Sequence, residues 1–210
     1  MMTKIKNFSL ALVCVVVIVC IAISVTVLCK PIYYIAIEQL DIAETSGYTA
    51  AQCHENYDVL IEYNQLISPD TLEFPDFPMS EYGRIHFEEV KDIFVAAQWI
   101  ALLGIGFLAG RILWQRRRGN RDFSWLKLTT WVGLGIVALV GGLVVFDWDM
   151  AFTLMHNIFF ANDYWIFSSV SDPVIKILPD SFFLLCGIMI LVLVVLAIGG
   201  CRLLGKKLER

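Results

Sequence analysis

The stretch that decides the fold is FSLALVCVVVIVCIAISVTVLC, residues 8–29, which contains no charged side chain. About 20 apolar residues in an α-helix, at ~1.5 Å per residue, cross a hydrocarbon core about 30 Å thick. Lipid offers the backbone no hydrogen-bond partners, so such a run is stable only as a helix. The run is also longer than the roughly 7–15 apolar residues of a cleaved signal peptide. We therefore predict a retained transmembrane helix over residues 8–29.

Three further apolar runs of similar length follow along the chain, at residues 93–114, 128–146 and 181–201. Of the whole sequence 58% is apolar and only 17% is charged, whereas about a quarter of a typical soluble domain is charged. The sequence thus predicts an all-α membrane protein with four transmembrane helices. The long connection after the first run leaves room for a small extracellular cap.

Charge is distributed unevenly among the connecting segments. Basic residues concentrate in residues 1–7, 115–127 and 202–210, whereas nearly all acidic residues lie in residues 30–92 and 147–180. Because cytoplasmic segments of membrane proteins carry an excess of Lys and Arg, the first three segments are predicted to be cytoplasmic. Residues 30–92 would then form an extracellular cap and residues 147–180 an extracellular aromatic segment. We prefer this interpretation of the Arg-rich loop over nucleic-acid binding.

Helices are predicted in both external segments. Ser80 is a suitable N-cap, and from Glu81 a helical pattern continues without a break into the second apolar run. A helix from about Asp149 would place Phe152, His156 and Phe159 or Phe160 on one face. The glycines of the second and third runs are interpreted as sites of close helix packing: Gly104, Gly106, Gly110, Gly133, Gly135, Gly141 and Gly142.

The three histidines, His54, His86 and His156, all fall in segments predicted to lie outside. His86 and His156 belong to different segments, yet each lies close to an apolar run, so both are expected at the membrane surface. Two imidazoles in a partly dry site suit acyl transfer: one takes a proton from the attacking group and the other stabilises an oxyanion or protonates the leaving oxygen. The sequence leaves open which histidine has which role. Glu89, on the helical face of His86, could orient or charge that imidazole, and His54 is expected to be a surface residue.

Other chemistry finds little support in the sequence. There is no HExxH motif, no G-x-S-x-G elbow and no Gly-rich phosphate loop. Residues 86–89 together with His156 give only a weak metal-binding pattern. Cys53 is the one cysteine outside the apolar runs and is either a free thiol or a packed small residue. Two alternatives stay open, a noncatalytic subunit with a partner-binding cap and a metal-dependent membrane hydrolase.

Two short motifs carry a family resemblance. The first is Ser80-Glu81 followed by His86 and then Glu89-Val90-Lys91 at the head of a membrane helix. The second comprises His156, Phe159-Phe160, Asn162, Trp165, Phe167 and Pro173, with Pro179 and Phe182-Phe183 opening the last helix. With the four-helix topology, they resemble the bacterial lipoprotein intramolecular transacylases over essentially the whole chain. Gly83 departs from the family pattern, which has an acidic residue there, and Glu89 stands where aspartate is usual.

The resemblance implies an acyltransferase of the bacterial plasma membrane with its active site at the outer face. It would move the sn-2 acyl chain of a diacylglyceryl lipoprotein onto the α-amino group of the N-terminal cysteine, giving the lyso form. No cofactor, metal, nucleotide or nucleic acid is implied, and membrane lipid is the remaining partner. The catalytic residues would be His86 and His156. The substrate-binding or supporting residues would be Glu89, Lys91, Phe159, Phe160, Asn162 and Trp165.

Overall fold

Helices are the only regular secondary structure in the part of the chain that the structure describes. A computed structural model describes residues 2–210, with side chains from Ile5 onward, so Met1 of the predicted N-terminal segment 1–7 lies outside the described residues. The helices are α1 (Met2–Leu28), α2 (Lys30–Gln39), α3 (Ile42–Ser46), α4 (Ala50–Tyr63), α5 (Glu81–Arg117), α6 (Ser124–Phe146), α7 (Trp148–Phe159) and α8 (Asp180–Glu209). A short 3₁₀ helix spans Pro173–Lys176. Residues 2–210 contain no strand, so the all-α class is confirmed.

Four helices are long and apolar enough to cross a membrane: Ile5–Leu28, Glu81–Arg117, Ser124–Phe146 and Asp180–Glu209. The 37 residues of α5 rise roughly 55 Å, well beyond the ~30 Å of a hydrocarbon core. Residues 81–92 carry most of the charges of α5, a composition that disfavours burial in hydrocarbon. His86 lies in this charged first part of the helix.

The described chain divides into two compact units. The first comprises the residues up to Ser24, Ala97–Asp147 and Met189–Arg210, and the second comprises Val25–Ala96 and Trp148–Ile188. The core of the first unit contains side chains from α1, from the start of α6 and from α8: Cys14, Ile18, Ala22, Phe123, Trp125, Leu126, Val194 and Ile198.

Only some glycines of the apolar runs are close packing sites. A Cβ at Gly104 would lie 2.3 Å from Val17 Cγ2, and one at Gly133 would lie 2.8 Å from Ile198 Cγ2. These two glycines therefore allow close helix approach, as predicted. The interpretation is wrong for four others, where a Cβ would meet nothing within 4 Å: Gly106, Gly110, Gly135 and Gly142. At Gly141 the contact, 3.7 Å to Leu191 Cδ1, is an ordinary one.

The second unit is built around buried aromatic rings. Tyr33 of α2 stacks on Tyr57 of α4 with ring centroids 3.9 Å apart, and Phe182 meets Tyr33 edge-on at 5.0 Å. The hydroxyl of Tyr33 donates to the carbonyl oxygen of Ile177 at 2.8 Å, which satisfies the one polar atom of this buried ring. The aromatic cluster joins α2 and α4 to the segment that leads into α8.

Local capping begins the helix that carries His86. The hydroxyl oxygen of Ser80 accepts from the backbone N–H of Gly83 at 3.0 Å, which confirms Ser80 as the N-cap. The helix begins at Glu81 and continues without interruption to Arg117, as the sequence predicts. The side chain of His86 is therefore held by a rigid helix rather than by a loop.

Candidate active site

His86 of α5 and His156 of α7 lie next to each other in the second unit. Their ring centroids are 6.1 Å apart and the ring planes make an angle of 31°. The two residues are only 5% and 8% exposed, respectively. The structure thus brings together two imidazoles that lie far apart in the sequence and belong to different external segments.

Aromatic rings surround the pair. Phe160 lies 4.7 Å from the His86 ring and 5.6 Å from the His156 ring, between centroids, and Phe167 lies 5.5 Å from His86. On the other side, Trp165 stacks on His156 at 4.4 Å and Phe152 lies 4.2 Å from it. These rings exclude water from most of the pair's surface.

Helix α7 is amphipathic, which explains how it presents its histidine. Phe152, His156 and Phe160 recur at intervals of four residues and share one face, as the sequence predicts. The helix also carries exposed apolar side chains: Met150, Leu154, Met155, Ile158 and Phe159. Exposed apolar surface on an amphipathic helix is typical of a helix that lies in a membrane interface.

The hydrogen bond of His156 fixes its tautomer. His156 Nδ1 lies 2.8 Å from the carbonyl oxygen of Phe152. A carbonyl oxygen only accepts, so Nδ1 carries the hydrogen and donates it. In the neutral ring the free lone pair is then on Nε2. His156 is therefore a better proton acceptor than His86.

Burial favours the neutral form of both rings. It lowers the pKa of His86 to about 4, with a further lowering from the neighbouring His156. Burial also lowers the pKa of His156, and the hydrogen bond to Phe152 opposes this shift. Near neutral pH both imidazoles are therefore uncharged. A charged imidazolium is therefore disfavoured as the group that stabilises the oxyanion, and a neutral ring N–H is the donor that the site offers.

Glu89 contacts Asn162 rather than His86. The amide nitrogen of Asn162 donates to Glu89 Oε1 at 2.9 Å, and Asn162 Oδ1 accepts from the backbone N–H of Tyr164 at 3.0 Å. No hydrogen bond or ion pair between Glu89 and His86 occurs in the described part of the chain. Asn162 and Glu89 therefore join the segment after α7 to the face of α5 that carries His86.

Two other residues expected to support the site point elsewhere. Lys91 Nζ donates to the carbonyl oxygen of Pro69 at 2.7 Å and lies 4.1 Å from the centre of the Tyr63 ring. Lys91 thus fastens the loop after α4 and is not directed at the histidines. Phe159 is 57% exposed, whereas Phe160 is buried against both histidine rings.

His54 and Cys53 lie in α4, apart from the pair. His54 is half-buried, against the ring of Tyr34 with centroids 4.1 Å apart, so it is less exposed than a simple surface residue. Cys53 is fully buried in the core of the second unit, and burial raises the pKa of its thiol. It is therefore a packed small residue rather than an accessible nucleophile.

Asp172 explains the unusual glycine of the first motif. Its Oδ1 accepts from the backbone N–H of Ser80 at 2.7 Å, and its Oδ2 accepts from the hydroxyl of Ser171 at 2.6 Å. A Cβ at Gly83 would lie 2.3 Å from Asp172 Oδ1. The carboxylate therefore occupies the space beside the first turn of α5, and no side chain fits there. Sequence reasoning missed Asp172, for which a glycine in the first turn of a helix was the only signal.

Four apolar helices and a dry, aromatic-lined histidine pair together define a membrane-integral enzyme suited to acid–base acyl transfer. No group of three or more metal-ligating side chains forms among residues 2–210. The family model for the lipoprotein intramolecular transacylase Lit matches residues 8–183. The chain belongs to this family and is an acyltransferase, which favours acyl transfer over the partner-binding and metal-hydrolase alternatives.

Solved structures agree with the family assignment. A structure of the membrane-integral lipoprotein intramolecular transacylase Lit from Bacillus cereus matches with a TM-score of 0.91 at 27% identity, covering 99% of this chain and 95% of that chain. Structures of two histidine variants of that protein, to arginine and to alanine, match with TM-scores of 0.84 and 0.85 at 27% and 26% identity. They also cover 99% of this chain, and 92% and 93% of their own. No curated protein sequence matched the chain.

Proposed function

We propose that His86 and His156 catalyse the transfer of the sn-2 acyl chain of a diacylglyceryl lipoprotein onto the α-amino group of its N-terminal cysteine. The observation that carries this proposal is the pair of imidazoles, 6.1 Å apart between ring centroids and enclosed by aromatic rings. The family supports the reaction class. Donor ester and acceptor amine belong to one substrate molecule, so no second lipid is consumed.

His156 is the general base in this proposal. Its Nδ1–H is held by the carbonyl of Phe152, which leaves the lone pair of Nε2 for the proton of the attacking amine. The same hydrogen bond stabilises the imidazolium that forms when the proton arrives. His86 has no such bond, because its Nδ1 is buried and has no hydrogen-bond partner in the described chain.

His86 then acts as a neutral donor. The amine nitrogen attacks the sn-2 carbonyl carbon, and a ring N–H of His86 stabilises the oxyanion of the tetrahedral intermediate. The new C–N bond forms, the bond between the acyl carbon and the glycerol oxygen breaks, and that oxygen receives the proton that His156 removed from the amine. An ester and an amine thereby become an amide and an alcohol, a downhill exchange that needs no nucleotide.

The aromatic surroundings supply orientation. Phe152, Phe160, Trp165 and Phe167 lie around the pair and form a rigid apolar wall against which acyl and glyceryl groups can fold. Correct placement of two reacting groups in one molecule can contribute ~7–11 kcal/mol to lowering a barrier. Most of the catalysis would then come from folding the substrate so that its amine meets its ester.

The orientation of the chain in the plasma membrane follows from charge. Residues 1–7, 115–127 and 202–210 carry the basic excess expected on the cytoplasmic side, which would put residues 30–92 and 147–180, and both histidines, at the outer face. The exposed apolar face of α7 supports this location, because a lipid-anchored substrate would reach His156 along the membrane interface. In this arrangement the spans are residues 8–29, 93–114, 128–146 and 181–201.

Mass spectrometry of a lipoprotein's N-terminal peptide tests the proposal. The chain is expressed in a bacterial host that accumulates the diacyl form, beside a host with an empty vector. Fragmentation is expected to place one acyl chain on the cysteine nitrogen at unchanged total mass. A diacyl peptide with a free amine, in the presence of folded protein in the membrane, would contradict the proposal.

A further inference from the structure

Glu89 has no positively charged partner in the described chain. The basic residues near it on α5 are engaged elsewhere: Arg84 pairs with Glu81 and Glu88, and Lys91 donates to the carbonyl oxygen of Pro69. Glu89 Oε1 accepts from the neutral amide of Asn162, whereas Glu89 Oε2 is buried and has no hydrogen-bond partner. One of the two carboxylate oxygens of Glu89 thus has no hydrogen-bond partner.

Two further unsatisfied polar atoms belong to the histidine pair and to the aromatic rings around it. His86 Nδ1 and Trp165 Nε1 are also buried without a hydrogen-bond partner. Buried polar atoms in native proteins are nearly always hydrogen-bonded, so these three atoms lack partners that the described chain does not supply. Glu89 lies one turn after His86 on the same face of α5, so the unsatisfied groups surround the region of the histidine pair.

We propose that Glu89 binds the α-ammonium group of the substrate's N-terminal cysteine and holds it beside the histidine pair. This inference rests on the proposed function, because only that reaction brings a free α-amine to the site. The ammonium supplies the missing cation and up to three N–H donors for the carboxylate. Rotation about the last side-chain torsion of Glu89, which is soft, presents either oxygen. Bound in this way, the ammonium releases one proton to water to become the neutral nucleophile, and His156 then takes the second proton during attack and delivers it to the glycerol oxygen.

A structural role for Glu89 makes a different prediction. If Glu89 only positions Asn162, the site needs the oxygen that accepts the Asn162 hydrogen bond and does not need the negative charge. Glu89→Gln separates the two roles, because glutamine keeps an oxygen for the Asn162 amide and loses the negative charge. Glu88→Gln is the matched control, since Glu88 is the exposed neighbour on the same helix and pairs with Arg84.

The experiment measures binding of two synthetic diacylglyceryl lipopeptides to the purified full chain in detergent. One lipopeptide carries the free cysteine amine, and the other is a des-amino analogue. The wild type and Glu88→Gln are expected to bind the amine at least about tenfold more tightly, the scale of a charge-assisted hydrogen bond, and Glu89→Gln is expected to lose that preference. An unchanged preference in Glu89→Gln would overturn the inference.

Turnover of the amine lipopeptide separates this inference from the proposed function. If Glu89→Gln transacylates at the wild-type rate, the inference fails and the function stands. If the wild type binds the amine preferentially through Glu89 and never transfers the acyl chain, the function fails and amine recognition stands. Thermal unfolding of each variant in the same detergent, expected to match the wild type, excludes loss of fold as the cause of lost preference.

Discussion

The second unit holds two regions in which a histidine packs on an aromatic ring, and only one has the features of a catalytic site. His54 lies against Tyr34, whose hydroxyl donates to Asp58 at 2.5 Å. The region of His86 and His156 adds a second imidazole, nearly complete burial and polar atoms without partners. Contact with an aromatic ring is therefore a packing feature of imidazole. The feature that indicates function is a buried pair of histidines with polar atoms that lack hydrogen-bond partners.

Replacement of the histidines tests this comparison with the largest expected effect. His86→Ala and His156→Ala are each expected to lower the transacylation rate by at least about 100-fold, because each removes an acid–base or oxyanion-stabilising group. His54→Ala is expected to stay within about twofold of the wild type, since nothing converges on that ring. Rates are measured with purified protein and a diacylglyceryl lipopeptide. A comparable loss in His54→Ala would remove the distinction between the two regions.

The aromatic neighbours sharpen the comparison. Trp165 stacks on His156 as Tyr34 contacts His54, so the two rings form a matched pair. Trp165→Ala is expected to lower kcat about tenfold or more, because it removes a ring that orients substrate and imidazole. Trp165→Phe keeps an aromatic ring and is expected to recover part of the lost kcat. Tyr34→Ala is expected to leave kcat unchanged. Equal kcat for Trp165→Ala and the wild type would show that the ring does not orient the reaction.

Acidification gives a smaller effect that is specific to the buried pair. The pKa of His86 is about 4 in the folded protein, below the value of about 6.5 for an unperturbed histidine. Between these values the unfolded chain binds a proton on this residue and the folded chain does not, so the folded state loses stability as the pH falls from ~6.5 to ~4.

Thermal unfolding between pH 7.5 and pH 4.5 measures this loss. The melting temperature of the wild type is expected to fall more steeply than that of His86→Asn, which has no imidazole to titrate at this position. Parallel curves for the two proteins would contradict the burial of a neutral His86.

The first unit offers the smallest expected effect on catalysis and a test of packing alone. Gly104→Ala would force a Cβ to within 2.3 Å of Val17 Cγ2, whereas Gly106→Ala would meet no atom within 4 Å. Gly104→Ala is expected to destabilise the protein by ~1–3 kcal/mol, the usual range for overpacking, and Gly106→Ala by much less. Thermal unfolding in detergent compares them. Equal stability would show that α1 tolerates a larger residue at this contact.

Much of the fold follows from local sequence patterns. Apolar run lengths predict four helices able to cross a membrane, and the N-cap Ser80 predicts where α5 begins. The four-residue spacing of aromatic residues around His156 predicts α7 and its inner face. These features depend on residues that are close together in the chain, so local sequence patterns predict them.

The contacts that define the site depend on segments far apart in the chain. The hydrogen bond between Glu89 and Asn162, the direction of Lys91 and the close approach of Asp172 to Gly83 each join distant residues. A single sequence carries no rule that pairs such positions. Helical spacing therefore suggests only that Glu89 could orient or charge His86, and it does not indicate Asp172. Short motifs that resemble those of a known family indicate the reaction itself. Composition alone predicts only a membrane protein with external histidines.

Cooperation between the two imidazoles is the central claim, and the double variant tests it most directly. Residues that act as one catalytic unit show strongly non-additive losses. The transacylation rate of His86→Ala/His156→Ala is expected to be no lower than that of the slower single variant, within about threefold. Losses that multiply in the double variant, or a single variant that keeps nearly the full rate, would show that the two histidines do not work as a pair.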